Sequence, residues 1–119
     1  MPLDTPFDLE ARDLCIAQVV SLLVQGKYRE LEWLSRGVHL GSDALEKAVT
    51  DYGRTLAAPL GPRTEVDFIR IDDSSLPAWS ANVPLFTEEE GRSDLTLTLT
   101  IRQDESGRYR VEIDDLHVL

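Results

Sequence analysis

Thr87 to Arg102 read TEEEGRSDLTLTLTIR, and the second half of this stretch decides the fold. Leu95, Leu97, Leu99 and Ile101 alternate with Thr96, Thr98, Thr100 and Arg102. Successive side chains on a strand point to opposite faces, so the segment predicts a strand of an antiparallel sheet with one buried face. The run Glu88-Glu89-Glu90-Gly91 feeds this strand, and Gly91 can take the positive φ that a tight turn needs. Upstream, Trp79, Ala81, Val83 and Leu85 mark a strand at the same period. Pro84 within it has no N–H to donate, which predicts either an edge position or a bulge.

Downstream, Gln103 to Gly107 turns the chain, and Tyr109, Val111 and Ile113 continue the inward set. Leu116 and Val118 have the opposite parity, so an extra residue at Asp114 or Asp115, a β-bulge, is needed to return them to the inner face. Thr64 to Ile71 reads as a further strand, giving a sheet of four. Its apolar phase shifts between Phe68 and Ile69.

The first half of the chain has helical spacing. Thr5-Pro6 with Asp8 is a helix start. Leu9, Ile16, Val19, Val20 and Leu23 then recur on one face, and Gly26 is a natural stop. Tyr28, Leu31 and Leu34 define a second helix, with Trp33 beside that stripe and Gly37 at its end. Asp43 with Glu46 resembles a capping box for a third, whose inner face is Leu45, Ala48, Val49 and Tyr52. The breaker Ala57-Ala58-Pro59-Leu60-Gly61-Pro62 separates the halves. The expectation is one α+β domain over residues 1–119, with N-terminal helices (1–56) packed on a curved antiparallel four-stranded sheet (63–119).

Composition limits the functions on offer. The chain of 119 residues carries a net charge of −10. Residues 1–60 hold nine acidic and six basic side chains, and residues 61–119 hold thirteen and six. Nucleic acid and anionic membranes are disfavoured, since both are bound through positive surface. A basic protein partner is favoured. The start lacks the order of a signal peptide, and no apolar run spans a bilayer, so the cytoplasm is the expected compartment. Cys15 is the only cysteine; it sits in an apolar run and reads as a small buried hydrophobe.

Two resemblances add to this. Gln18 to Leu31, a helix followed by Gly26 and Lys27-Tyr28, is similar to the first helical hairpin of the nuclear-transport-factor-like (SnoaL-like, cystatin-like) superfamily. That resemblance implies a cone in which the sheet wraps the first helix. It assigns Val38-His39-Leu40 to an early strand, and a pocket to Tyr52, Trp79, Tyr109 and a carboxylate. Phe86 to Leu97, which contains TEEEGRSDLTL, and Ile113 to Leu119, IDDLHVL, resemble a small bacterial family of unknown function. That family brings no activity, but it points to the same turn and the same C-terminal strand.

Candidate residues follow. Glu88, Glu89, Glu90, Arg92 and Asp94 in the turn, with Asp72, Asp73 and Trp79, form the expected partner-binding surface. Arg92 is also available to brace the turn against a carboxylate. Asp115 and His117 share a strand face and form a candidate acid–base or surface pair. No nucleophile elbow, P-loop, dinucleotide fingerprint or zincin motif is present, and two histidines make a poor case for zinc. The reading is therefore a non-enzymatic acidic binding module without cofactor or metal, whose concrete form is a bacterial immunity protein that neutralises a basic toxin. The alternative is a small-ligand or catalytic SnoaL-like cone. A homodimer built on the threonine face is a third reading.

Overall fold

The leucine–threonine alternation is realised as the longest strand of a mixed helix-and-sheet structure. The computed structural model describes residues 6–37, 39–59, 66–71 and 76–119. Within them the order is α1 (Pro6–Val24), α2 (Tyr28–Leu34), α3 (Ser42–Tyr52), β1 (Leu56–Ala57), β2 (Asp67–Arg70), β3 (Ala78–Thr87), β4 (Gly91–Gln103) and β5 (Tyr109–Val118). The fold class is α+β as expected, but the sheet has five strands rather than four. The extra one is β1, from the edge of the stretch read as a breaker: Leu56 and Ala57 pair antiparallel with Thr87 and Phe86. All named strand pairs are antiparallel, with β1 and β2 sharing one flank of β3 and with β4 and β5 following on the other.

β3 is thus a central strand, and Pro84 marks a bulge rather than an edge. It pairs with Thr96, and the register with β4 shifts between Pro84 and Phe86. On the other flank, Pro84 falls between the stretches that meet β2 and β1. The Ser93 hydroxyl compensates for the lost ladder by donating to the Leu85 carbonyl at 2.8 Å. The bulge in β5 lies where parity required it. Thr98 pairs with Asp115 and Leu99 with Ile113, so Asp114 is the extra residue. Leu116 consequently faces inward and is buried. Val118 has the same phase but is exposed, correcting its expected place in the core.

α1 turns Ile16, Val19, Val20 and Leu23 to the sheet, where they join Leu31, Leu45, Val83, Leu95, Leu97, Leu99, Ile101 and Ile113 in one core. Each such side chain contributes about 1.5–3 kcal/mol relative to exposure. Leu9, assigned to the same stripe, is left partly exposed. α1 stops in a Schellman turn: Gly26 has φ 71°, its N–H donates to the Leu23 carbonyl, and the Lys27 N–H donates to that of Leu22. α2 stops one residue earlier than the sequence suggests. Arg36 takes the left-handed conformation (φ 57°), and the Gly37 N–H closes the turn on Glu32. α3 begins at Ser42 rather than after an Asp43 cap. The side chain that serves its N-terminus comes from α2, since Glu32 Oε1 accepts the Ser42 N–H at 3.1 Å.

The threonine face is less open than alternation implies. Thr96 and Thr100 are buried. The Thr98 hydroxyl donates to Asn82 Oδ1 at 2.9 Å, and that of Thr100 donates to Asp114 Oδ2 at 2.6 Å.

Candidate functional site

The acidic turn is built into the fold. β3 and β4 are joined by Glu88, Glu89 and Glu90, with Thr87 pairing to Gly91 and Gly91 at φ 72°, the three-residue hairpin that needs glycine at its left-handed position. Glu89 accepts the Thr55 N–H at 2.9 Å and the Thr55 hydroxyl at 3.0 Å. Glu90 Oε2 accepts the Tyr52 hydroxyl at 3.0 Å, and its Oε1 accepts that of Thr87 at 3.2 Å. Two of the three carboxylates therefore clamp the hairpin to the end of α3 and to Thr55, the residue before β1. Only Glu88 keeps its carboxylate clear of a partner among the described residues.

The Thr55 N–H, first among several donors, holds the Glu89 carboxyl below its usual range. A carboxylate with a lowered folded-state pKa stabilises the fold above its unfolded value, and that contribution is lost as pH falls through the folded value. The expected result for Glu89→Gln is a lower melting temperature than wild type at pH 7. The gap should narrow below about pH 4, where unfolded glutamate protonates. Melting curves from pH 7 to pH 3 check this; a gap that stays constant with pH would refute the clamp.

The other expected partner residues scatter. Trp79 is 2% exposed, which removes it from any surface patch. Its ring stacks on Tyr109 at 6.3 Å between centroids, and the guanidiniums of Arg12 and Arg70 lie 5.6 and 5.9 Å from it. Strand alternation places it on the inner face, so the fold uses it as core. Asp72 and Asp73 lie outside the described residues. Asp94 is exposed. Arg92 and His117 line a shallow depression on the outer sheet face, together with Asp67, Asn82, Pro84 and Thr96. Asp115 and His117 do come together, with Asp115 Oδ2 and His117 Nδ1 3.1 Å apart. This is an ion-pair approach without a formed hydrogen bond, on an open strand end.

The structure assembles a groove that sequence reading did not single out. It has a volume of about 1150 Å³ and lies between α1, α2 and the β4–β5 hairpin, with Cys15, Trp33, Tyr109 and Val111 among its walls. Trp33 is 82% exposed. Four arginines line the groove: Arg29, Arg36, Arg108 and Arg110. Of its three carboxylates, Asp104 and Glu32 are committed to the fold, whereas Asp43 has no such partner among the described residues. Asp104 Oδ2 accepts Arg110 Nε at 2.8 Å, and its Oδ1 accepts the Ser106 and Arg108 N–H groups at 3.0 and 3.1 Å. The Ser106 hydroxyl and then Arg110 hold the Asp104 carboxyl far below its usual range. Glu32 is spent on the start of α3. Among the described residues, the side chains of Arg29, Arg36 and Arg108 have no hydrogen bond or ion pair within the chain. Burial pushes the Cys15 thiol up, which keeps it protonated at neutral pH. One signal for the groove was present in the sequence: Trp33 falls off the Tyr28-Leu31-Leu34 stripe, so a helix that buries that stripe turns Trp33 outward.

A second grouping forms where the α2–α3 link meets β5. His39 Nε2 lies 3.2 Å from Asp114 Oδ1 and 3.9 Å from Glu112 Oε1. Among the described residues it is the cluster with the spacing of metal ligands. The early strand expected at Val38-His39-Leu40 survives as a single parallel bridge from His39 to Ile113; Val38 is outside the described residues.

Residues 20–119 match the family described as a domain of unknown function, DUF7668. No curated protein and no solved structure matches the chain. No helix among the described residues is long and apolar enough to cross a membrane.

Proposed function

Because the chain belongs to the DUF7668 family, whose description carries no activity, we propose from its geometry that it is a non-enzymatic protein-binding module whose contact surface is the Trp33 groove. The observation that carries this reading is Trp33, 82% exposed on a groove with unpaired Arg29, Arg36 and Arg108. Trp and Arg are the residue types that dominate binding energy at interfaces. A Trp left in water adds little to the core, and its large apolar face is free for a partner. Arg36 adds to the case: a non-glycine residue held at positive φ costs about 1–3 kcal/mol, and such residues cluster at binding sites. The element that enters the groove carries carboxylates, since arginine binds them through two parallel hydrogen bonds.

The immunity reading, with a basic toxin as partner, rests on the net charge of −10 and on Glu88. A long-range field steers a basic protein toward an acidic one. It has less geometric support, because Glu89 and Glu90 are engaged within the chain. The small-ligand cone has less still. Core side chains occupy the space between α1 and the sheet. The Tyr52 and Tyr109 hydroxyls donate to different carboxylates, Glu90 and Asp8, rather than converging.

Trp33 supplies its own reporter. A synthetic glutamate-rich peptide is expected to shield Trp33 fluorescence from acrylamide, with Trp79 as the unquenched background. The double variant Arg36→Glu, Arg108→Glu should abolish the shielding. A lysine-rich peptide of the same length that shields equally well would overturn the groove assignment in favour of the basic-partner reading.

A further inference from the structure

We propose that His39, Glu112 and Asp114 form a binding site for a divalent transition-metal ion, with Zn²⁺ the best-fitting probe, that clips the α2–α3 link to the edge of β5. The groups are of the right kind, since one imidazole and two carboxylates make a ligand set for zinc and its neighbours. The spacing matches at one edge, and small side-chain rotations close the others. Zinc bonds of about 2.0–2.1 Å in a tetrahedron place neighbouring ligand atoms about 3.3 Å apart. Here His39 Nε2 stands 3.2 Å from Asp114 Oδ1 and 3.9 Å from Glu112 Oε1, and all three atoms lie within 4.8 Å of one another.

The support around these atoms separates the site from a chance ion pair. Each carboxylate has its other oxygen held. Thr100 donates to Asp114 Oδ2 at 2.6 Å, and Arg102 Nε donates to Glu112 Oε2 at 3.2 Å. That leaves Oδ1 and Oε1, the two oxygens nearest His39, to face inward on one point. Outer hydrogen bonds of this kind orient metal ligands and raise metal affinity. The ligands also come from two separate backbone devices. Glu112 and Asp114 are two residues apart on β5, with Asp114 the bulge residue, and bulges commonly re-aim a side chain beside a functional site. His39 is held against this strand by the Leu40 N–H, which donates to the Ile113 carbonyl at 3.1 Å, and its backbone is kept at φ 67°. Water completes the coordination, because the His39 side chain is half exposed. Such a clip would cover a β5 edge that otherwise meets the link through a single bridge.

Titration calorimetry of the whole chain with Zn²⁺ tests this, alongside melting curves and the NMR shift of the His39 imidazole. The expected result is one equivalent of bound zinc, a raised melting temperature and a shifted His39 resonance, with Mg²⁺ much weaker. His39→Ala, Glu112→Gln and Asp114→Asn should each lower the affinity at least tenfold. The last two keep side-chain shape, so they remain decisive if the alanine variant folds poorly. His117→Ala removes the other imidazole that lies beside a carboxylate, and it should leave the affinity unchanged. Absence of saturable zinc binding would overturn the site, as would retention of affinity in Asp114→Asn or its loss in His117→Ala.

Discussion

Replacing Trp79 by alanine is expected to destabilise the fold by about 3–5 kcal/mol, the usual cost of truncating a buried tryptophan. For a chain of 119 residues this corresponds to a fall in melting temperature of roughly 10–20 °C. The size follows from what surrounds the ring. Trp79 is 2% exposed, stacks on Tyr109 and has two guanidiniums within cation–π range. Its removal leaves a cavity at the joint of β2, β3 and β4, since Trp79 pairs with both Arg70 and Ile101. It also strips Arg12 of one of the two rings it covers, the other being Phe68 at 3.5 Å. A domain whose total stability is about 5–15 kcal/mol is brought close to unfolding by such a loss. Chemical denaturation followed by circular dichroism measures it; a change below about 1 kcal/mol would contradict the packing described.

The same substitution at Trp33 should do the reverse. Trp33→Ala is expected to change stability by no more than about 0.5 kcal/mol, the range for open surface positions. Its effect should fall on binding. A tryptophan at the centre of an interface is commonly worth about 2 kcal/mol or more, a loss of roughly thirtyfold in affinity. Affinity for the glutamate-rich peptide, measured by calorimetry, gives the first number, and thermal melting gives the second. Unchanged affinity would remove Trp33 from the contact surface. A large loss of stability would show that its side chain packs in solution. The pair forms a paired control, because two residues of one type separate fold from function.

The two tryptophans also mark how far the sequence could be read. Trp79 belonged to a period-two strand pattern, and that pattern alone assigned it to the core. The nearby Asp72 and Asp73 also suggest a partner patch around it, and burial in the structure separates Trp79 from any such patch. Trp33 was legible as a residue beside its helix stripe, but not as the wall of a groove. The far wall comes from the turn after β4 and the start of β5, Asp104 to Val111, some seventy positions away on the count of the sequence. No local pattern links α2 to that hairpin. The acidic turn shows the same limit. Three consecutive glutamates look like a solvated charge run, yet Glu89 and Glu90 close hydrogen bonds to Thr55 and Tyr52, which only the docking of α3 beside the hairpin brings near.

Alternation and helical spacing are short-range consequences of backbone geometry, and they determined the order of helices and strands, the inward faces of β3 to β5, the hairpin at Gly91 and the need for a bulge at Asp114 or Asp115. The strand neighbours were a different matter. Leu56–Ala57 and Asp67–Arg70 both pair with β3, and this depends on which edge the chain meets after a long connection, so local pattern does not reveal β1 and cannot choose between an edge and a bulge for β3. Charge was legible only as a total. A net charge of −10 is a sum over the whole surface, whereas a groove gathering four arginines and a point where His39, Glu112 and Asp114 converge are local arrangements. Packing sets such arrangements by joining segments far apart in the chain, and for that reason only the tertiary structure brought these groups together.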